Sequence, residues 1–467
     1  MTGDAIHPSA HRPRNANARP VVLFRTFGCR VNQYETDAMK AQLAENCIVD
    51  GTSQPADVII INGCTVTALA ASKTRKAIRQ ARRQHPEAVV VLIGCLAEAA
   101  KQRWAEAGDP DLMAGNGWKR SVQAVVRQAL SGQRGSLAAA PSVPIDREVI
   151  PPSFNGLGNR VRGFLKVQDG CSGSCTYCQT RLVRGPAHSK SVKVVVAEAK
   201  AMIAAGVPEL VLSGINLSEY APSDGDLADL ILQLDRIPEL KRIRLGSINP
   251  EGVTDRLLDA VSTADSACPH LHISVQSGDD GILHRMNRRY TTSEIVQWTD
   301  AARTKVRGIT FGTDVIVGFP GESEEAFINT CTLIERIGFV NLHLFRYSRR
   351  EGTPAIHLNG HVDGPTQHRR ASELENRWRK TLERWLLERI DEDRTLLVER
   401  QLNGRWQGYS EDYIHLRLDD ALPLQPGDTV PVRTTSSTGE GWTAAVCSSF
   451  REQQERQGQG QGDHERT

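Results

Sequence analysis

The sequence lacks a long hydrophobic run, a signal peptide and a strong net charge. Its longest apolar runs, such as AVVVLI at 88–93, are far shorter than the roughly 20 residues needed to span a bilayer. Its first residues, MTGDAIHPSAHRPRNANARP, lack the apolar core of a signal peptide. These absences predict a cytoplasmic protein with no membrane partner. Because the formal net charge is only +2, any contact with nucleic acid depends on local basic patches.

The length of 467 residues suits about three domains. Residues 20–130 alternate apolar strand candidates with helical segments, which is typical of the α/β class with a doubly wound parallel sheet. A Ser/Ala/Pro-rich stretch at 131–153 is interpreted as a linker. The polar tails, residues 1–19 and 451–467, are expected to be disordered.

A second series of strands and helices occupies residues 155–390. Its strand candidates are FLKVQ, ELVLSGI, RIRLGSI, LHISVQS, TFGTDVIVGF and NLHLFRYS. Their alternation with helices predicts a complete or partial (β/α) barrel whose functional loops follow the strands. A charged helix at 371–394 leads into residues 391–450, where short alternating strands and glycine turns predict a small β-barrel.

The chain has ten cysteines, and three of them form a compact motif. In a reducing cytoplasm, clustered cysteines are better explained as metal ligands or redox groups than as disulfides. Cys171, Cys175 and Cys178 have C-x3-C-x2-C spacing directly after the first strand of the second series. Three thiolates suit an iron–sulfur cubane that leaves one iron open to a substrate or cofactor. The alternatives are a zinc site with His188 as fourth ligand or a chance grouping.

A second set of cysteines is spread over the first region. Cys29, Cys64 and Cys95 each end an apolar strand, and the C-terminal ends of parallel strands meet at one edge of a sheet. We therefore expect these three residues to share that edge, although each alone would be an ordinary buried thiol. The remaining cysteines considered are interpreted as structural: Cys47, Cys268, Cys331 and Cys447.

The motif CSGSCTYC at 171–178 resembles the signature of radical S-adenosylmethionine (SAM) enzymes. RLGSINP, HLHISVQSGDDGILHRMNRRYT and GTDVIVGFPGESEEAF resemble later strands of the methylthiotransferase family within that group. The resemblance implies that Cys171, Cys175 and Cys178 are catalytic and hold a [4Fe–4S] cluster that cleaves SAM to a 5′-deoxyadenosyl radical. It also implies a second, auxiliary [4Fe–4S] cluster, which supplies or carries sulfur and is held by Cys29, Cys64 and Cys95.

The resemblance also implies a set of contacts to SAM. The segment ELVLSGINLSEY at 209–220 resembles the strand that faces the cofactor's amino group, although GIN stands where many radical enzymes have acidic residues. For Gln276 and Arg288, ordinary loop hydrogen bonding is the alternative. The residues expected to contact the cofactor are Tyr177, Gly214, Asn216, Ser247, Gln276 and Arg288.

The substrate is indicated by FGCRVNQYETDAM at 27–39. It resembles the opening of the group that acts on threonylcarbamoyladenosine. This implies methylthiolation of C2 of N6-threonylcarbamoyladenosine at tRNA position 37 (t6A to ms2t6A), with one SAM as methyl donor and another as radical source. Two departures concern substrate placement: QTRLVRGPAHSK keeps Arg184-Gly185 but lacks the family's proline, and Arg346 replaces another proline.

The expected partners follow from the same resemblance. They are the tRNA anticodon stem-loop, an electron donor such as flavodoxin or ferredoxin, and a sulfur source. The segment GRWQGYSEDYIHL resembles part of a TRAM domain, a small RNA-binding barrel. The basic run SKTRKAIRQARR suits phosphates, and an ordinary solvated helix face explains it equally well. The arginines near 377–389 pose the same choice, with interleaved glutamates that favour pairing within the helix.

Two other functions remain open at this point. The first is a methylthiotransferase that acts on another tRNA adenosine or on a side chain of a ribosomal protein. The second is a non-catalytic, metal-containing RNA-binding protein.

Overall fold

The computed structural model describes residues 19–51, 55–65, 67–100, 107–151, 160–419, 422–438 and 441–446. Apart from Arg19, the predicted disordered tails lie outside these ranges, and so does Cys447. The chain divides into two compact units. Unit 1 comprises residues 1–156, 169–174 and 178–190, and unit 2 comprises residues 157–168, 175–177 and 191–467. None of the described helices is both long and apolar enough to cross a membrane.

Unit 1 is built on a six-stranded parallel sheet with the order β2-β1-β3-β4-β5-β6. The strands are β1 Val21–Thr26, β2 Ile48–Val49, β3 Val58–Gly63, β4 Val89–Gly94, β5 Leu112–Ala114 and β6 Gly135–Ser136. Side chains alternate between the two faces of a strand. Accordingly, Val58 and Ile60 join the apolar cluster on one face, and Ile59 and Ile61 join the cluster on the other. Burial on both faces explains the continuous apolar runs and confirms the predicted doubly wound sheet.

Helices cover both faces of this sheet. They are Arg30–Leu43, Ala68–Gln84, Cys95–Ala99, Val122–Leu130 and Thr180–Arg184, with 3-10 turns at Asn116–Ser121 and Ile145–Arg147. The interpretation of 131–153 as a linker is wrong for its described part. Residues 135–136 pair with β5 as an edge strand, and Leu137, Ile145 and Ile150 are buried. Scattered apolar residues thus anchor a stretch whose average composition is typical of a linker.

Unit 2 contains a series of parallel strands joined by helices. The strands pair in the orders β7-β10-β11 and β12-β13-β14-β15. They are β7 Arg162–Lys166, β10 Glu209–Ser213, β11 Arg242–Leu245, β12 Ser247–Ile248, β13 His270–Gln276, β14 Thr310–Val317 and β15 Asn341–Arg346, and the short β8 Gln168–Asp169 and β9 His188–Ser189 lie between β7 and β10 in the sequence. This arrangement is the (β/α) partial barrel that the sequence predicts.

The helices of unit 2 alternate with those strands. They are Val192–Ala204, Leu227–Leu234, Asp255–Thr263, Asp280–Arg285, Thr292–Lys305, Glu324–Ile337 and Gly364–Leu387, with 3-10 turns at Leu217–Glu219, Pro250–Gly252 and Pro354–His357. The last helix begins seven residues before the predicted 371 because Asp363 caps it, accepting from Thr366 N at 2.8 Å. Its arginines pair with glutamates, as Arg379 does with Glu375 at 2.7 Å, which favours the pairing interpretation.

The end of the chain forms a closed five-stranded barrel with the order β16-β17-β18-β20-β19. Its strands are β16 Asp393–Leu402, β17 Arg405–Ser410, β18 His415–Leu418, β19 Thr429–Thr438 and β20 Gly441–Val446. Asn403 and Gly404 join β16 to β17 with φ values of +51° and +77°. Positive φ at both central residues is what a tight two-residue hairpin requires. The predicted small β-barrel is confirmed.

Buried arginines of β11 attach this barrel to the rest of unit 2. Arg242 donates to the carbonyl of Tyr409 at 3.0 Å, and Arg244 donates to the carbonyl of Ser410 at 3.1 Å. Glu209 on β10 accepts from Arg244 Nε at 3.0 Å. Burial raises the pKa of Glu209 and is the largest single effect, but Arg244, Arg162 and Arg242 together lower it by more, so its pKa lies below the usual range. The paired charges therefore fix the barrel to the parallel strands.

Candidate iron–sulfur and cofactor site

The cysteines of the first set lie at the C-terminal edge of the sheet in unit 1. Cys29 caps the helix that follows β1, Cys64 comes directly after β3, and Cys95 begins the helix after β4. Gly28 has a φ of +105°, and a Cβ on it would lie 2.7 Å from Cys64 Sγ. Only glycine allows the β1 loop to approach Cys64 this closely.

Cys29 differs from the other two thiols in its exposure. It keeps exposed surface, whereas Cys64 and Cys95 are buried. Desolvation raises the pKa of the Cys29 thiol, an effect that Arg184 opposes and Cys95 reinforces. Its exposed surface leaves Cys29 accessible to a bound cofactor.

The donor set at this edge consists of three cysteine thiols. A structural zinc site normally has four ligands around one ion. In a cubane each thiolate binds a different iron, and three thiolates leave one iron free of protein ligands. The chemistry of Cys29, Cys64 and Cys95 therefore fits a [4Fe–4S] cluster.

Two cysteines of the CSGSCTYC motif belong to unit 1. Cys171 Sγ accepts from Gly173 N at 3.3 Å, and Cys178 Sγ accepts from Thr180 N at 3.4 Å. Hydrogen bonds from backbone N–H groups favour the charged form of an acceptor, and the thiolate is the form that binds iron. Both residues are thus suited to be ligands.

Cys175 belongs to unit 2, where it meets Arg288. Arg288 Nη1 lies 3.4 Å from Cys175 Sγ, and its Nε donates to Tyr290 Oη at 2.6 Å. Burial lowers the pKa of Arg288, but Tyr177, Tyr290 and Cys175 raise it by more, so the guanidinium stays charged. The contact places a buried, positively charged guanidinium beside the Cys175 sulfur.

The other predicted SAM contacts of unit 2 lie in loops after its strands. Gln168 Oε1 accepts from the backbone N of Ile215 and Asn216 at 2.8 and 3.0 Å and so holds the loop after β10. A Cβ on Gly214 would lie 3.0 Å from that same oxygen. The Asn216 side chain accepts from Ser218 N at 3.2 Å, so part of its hydrogen-bonding capacity caps a local turn.

The remaining predicted contacts are Ser247, Gln276 and Tyr177. Ser247 pairs with His272 between β12 and β13, and Tyr177 packs edge-on against Phe319 with ring centroids 6.3 Å apart. Gln276 has a φ of +71° and follows an irregularity in the pairing of β13 with β14. Such a backbone conformation is costly for a non-glycine residue and often occurs at functional sites.

The structure adds a polar group that our sequence interpretation missed. On β14, Asp314 Oδ1 lies 3.0 Å from Nε2 of His272 on β13 and 3.0 Å from Nδ1 of His343 on β15. Its Oδ2 accepts from Ser274 at 2.9 Å. Burial raises the Asp314 pKa, but the two histidines lower it far more. The spacing is also that of a 2-His-1-carboxylate metal site, but three donors already satisfy the carboxylate.

This polar group is connected to the cysteine motif within unit 2. The carbonyl of Ser274 accepts from Arg288 Nη2, and Arg288 also contacts Cys175. A sequence signal exists: His272, Ser274 and Gln276 occupy every second position of an otherwise apolar strand, which places them on one face. Strands of parallel sheets are usually apolar on both faces, so a polar face on such a strand indicates that it lines a functional site.

Comparisons with known proteins identify two family regions. Residues 165–334 match the radical SAM superfamily, and residues 21–115 match the uncharacterized protein family UPF0004. The match covers the CSGSCTYC motif, the strand β13 that ends at Gln276 and the loop that carries Arg288. Together with the parallel strands of unit 2, these features define a radical SAM enzyme.

Curated relatives cover nearly the whole chain. "Threonylcarbamoyladenosine tRNA methylthiotransferase MtaB" of Thermotoga maritima is 34% identical over 90% of this chain and 95% of its own length. The same-named protein of Bacillus subtilis is 33% identical over 84% and 89%. "tRNA-2-methylthio-N(6)-dimethylallyladenosine synthase" of Dictyoglomus thermophilum is 32% identical over 84% and 91%. The chain belongs to the radical SAM methylthiotransferase family and is similar to its MtaB members.

Solved structures support the fold. The radical SAM methyltransferase TsrM from Kitasatospora setae matches with a TM-score of 0.56 and 15% identity, covering 73% of this chain and 77% of that one. Methylthiotransferases of this family use SAM and two [4Fe–4S] clusters. These findings replace the zinc-site and non-catalytic RNA-binding alternatives.

Proposed function

We propose that this enzyme methylthiolates C2 of N6-threonylcarbamoyladenosine at position 37 of tRNA, converting t6A to ms2t6A. The observation that carries the proposal is the set of relatives named for threonylcarbamoyladenosine, which reach 32–35% identity over 82–90% of the chain. Those named for dimethylallyladenosine reach 30–32%. The opening FGCRVNQYETDAM supports the same choice, so the other substrates are not favoured.

The two cysteine sets have separate roles in this proposal. Cys171, Cys175 and Cys178 hold the catalytic cluster, and Cys29, Cys64 and Cys95 hold the auxiliary cluster. When bound, these clusters and SAM supply the radical that activates C2–H and the methylthio unit that replaces the hydrogen. The chain's own residues supply charge and position. Arg288 keeps a positive charge beside Cys175, and backbone N–H groups stabilise the thiolates of Cys171 and Cys178.

The SAM-binding residues are proposed from the same loops. Gly214 and Asn216 lie in the loop that Gln168 holds in place. Gln276 presents its backbone in a strained conformation at the end of β13. The remaining proposed contacts are Tyr177, Ser247 and Arg288.

Each of three regions of the chain has a separate role in this proposal. Residues 20–130 form the auxiliary-cluster domain, residues 155–390 the radical SAM domain and residues 391–450 a TRAM-like domain that contacts the tRNA anticodon stem-loop. In unit 1, Lys73, Lys76 and Arg79 form an exposed basic side of one helix, which suits phosphate contacts. A reductant such as flavodoxin or ferredoxin and a sulfur source complete the reaction in the cytoplasm.

Reconstituted enzyme tests the substrate directly. Under anaerobic conditions, the protein, SAM and dithionite are incubated with tRNA that carries either t6A or isopentenyladenosine, and the nucleosides are measured by liquid chromatography and mass spectrometry. We expect ms2t6A from the first tRNA and no thiolated product from the second. The reverse preference, or thiolation of neither tRNA, would refute the proposal.

Matched cysteine variants connect the product to the auxiliary set. Cys64→Ala should abolish ms2t6A while some SAM cleavage persists. Cys47→Ala removes a buried thiol from the apolar core of the same unit and should keep product formation. If Cys64→Ala formed as much ms2t6A as Cys47→Ala and wild type, Cys64 would be excluded as a ligand.

A further inference from the structure

The segment after Cys178 makes a hydrogen bond near each cysteine of the auxiliary set. Next to Cys64, Thr65 Oγ1 donates to Gln179 Oε1 at 3.2 Å. Beside Cys95, Asn116 Nδ2 lies 3.6 Å from the sulfur and donates to the carbonyl of Val183 at 2.8 Å. All of these residues belong to unit 1.

The third connection lies next to Cys29 and is the most extensive. Arg184 Nη1 donates to Glu35 Oε1 at 2.8 Å, and Arg184 Nη2 donates to Asn32 Oδ1 at 2.7 Å. Asn32 and Glu35 lie in the first two turns of the helix that Cys29 caps. The Arg184 side chain is only 2% exposed. Buried, forked contacts of this kind define orientation as well as distance.

The charges around Arg184 are balanced. Lys119 also binds Glu35, and Asp169 Oδ1 accepts from Arg184 Nη1 at 2.8 Å. Arg120 also pairs with Asp169 and with Glu148, so three cations face three carboxylates. Asp169 raises the pKa of Arg184 against the lowering effect of burial. Because the group is close to neutral, it contributes geometry more than net electrostatic potential.

The same loop is fixed on its other side. Cys171 N donates to the carbonyl of Gly185 at 3.1 Å, directly after Arg184. Gly170 has a φ of +70°, and a Cβ there would lie 2.0 Å from the carbonyl oxygen of Pro186. The backbone next to Cys171 is thus tied to the residues that follow Arg184.

We propose that Arg184, with Asn32, Glu35 and Asn116, is a positioning network that sets the loop of Cys171 and Cys178 relative to the edge of Cys29, Cys64 and Cys95. The network fixes the separation across which the methylthio unit reaches the activated carbon. This inference rests on the proposed function. It also gives a role to Arg184-Gly185, which the altered QTRLVRG segment retains.

Arg184→Lys tests the network because it keeps the charge and removes the fork. We expect about eight irons per chain to remain and 5′-deoxyadenosine to form. The yield of ms2t6A per 5′-deoxyadenosine should fall by roughly tenfold to a hundredfold, as expected for a displacement near 1 Å. The magnetic interaction between the two reduced clusters in electron paramagnetic resonance spectra should also change. Arg181→Lys, an exposed arginine in the same short helix, should leave the ratio and the spectrum as in wild type.

Thr65→Val provides a second, milder test, since it removes one hydroxyl and preserves shape. It should lower the same ratio in the same direction. A wild-type ratio of ms2t6A to 5′-deoxyadenosine and a wild-type spectrum in both variants would overturn the inference. It would also be overturned if a variant lost iron while its fraction with both clusters kept the wild-type ratio. Failure of the proposed function differs, because wild type itself would then form no ms2t6A.

Discussion

Gly28→Ala should remove the auxiliary cluster. An alanine Cβ at this position would lie 2.5 Å from Cys64 Cβ and 2.7 Å from Cys64 Sγ. Non-bonded carbon atoms prefer about 3.5–4.0 Å, so Cys64 or the β1 loop must move by about 1 Å. Metal sites tolerate errors of only about 0.2 Å in ligand distances. The displacement is therefore several times larger than this site can absorb.

Backbone strain adds to this effect but does not explain it. Alanine in a left-handed conformation costs about 1–2 kcal/mol, and Gly28 has a φ of +105°. Gly132 provides the matched control, because it has a φ of +88° in the same unit and a Cβ there would meet nothing within 4 Å. Gly132→Ala should thus introduce a similar backbone strain without a contact to any cysteine.

Iron, acid-labile sulfide and products separate the two variants. After anaerobic reconstitution, Gly28→Ala should hold about four irons per chain instead of about eight. It should still cleave SAM but form no ms2t6A. Gly132→Ala should keep about eight irons and full activity. Wild-type iron and ms2t6A in Gly28→Ala would refute the placement of Cys64 as a ligand.

Three further predictions concern unit 2. Burial raises the pKa of the Cys268 and Cys331 thiols to about 11, so at about pH 8 both should alkylate at least roughly a hundredfold more slowly than free thiols; rapid labelling in native protein, mapped by mass spectrometry, would contradict this. Glu209→Gln leaves Arg244 without its buried partner and should cost about 3–5 kcal/mol in urea unfolding. The wild-type advantage should be full above the ordinary glutamate pKa of about 4.3 and shrink as pH falls below it, because the folded-state pKa of Glu209 is lowered; a pH-independent difference would argue against the ion pair. Arg288→Lys keeps the charge but loses the forked contacts, so 5′-deoxyadenosine formation should fall at least roughly tenfold with iron retained; an unchanged rate would exclude the contact with Cys175.

Much of the architecture was predictable because burial leaves direct signals in the sequence. The apolar runs of β3 and β4 reflect strands covered on both faces, and the end of each such strand locates a cysteine at the sheet edge. The hairpin of β16 and β17 follows from Asn403-Gly404, whose conformation is local. These features depend on neighbours in the sequence or on topology alone.

Features that depend on distant side chains were not predictable. Arg184 and Glu35 are 149 positions apart, and no periodic pattern connects them. Asp314 meets its two histidines through the pairing of three strands. The stretch at 131–153 has a composition typical of linkers, and a few buried residues outweigh that average. In each case the contact depends on the tertiary fold and not on local preference.

Counting iron in paired variants tests the two-cluster assignment most directly. Iron and acid-labile sulfide would be measured after anaerobic reconstitution of wild type, of the Cys171/Cys175/Cys178→Ala variant and of the Cys29/Cys64/Cys95→Ala variant. We predict about eight irons per chain in wild type and about four in each variant. About four irons in wild type and none after loss of Cys171, Cys175 and Cys178 would show a single cluster and contradict the assignment.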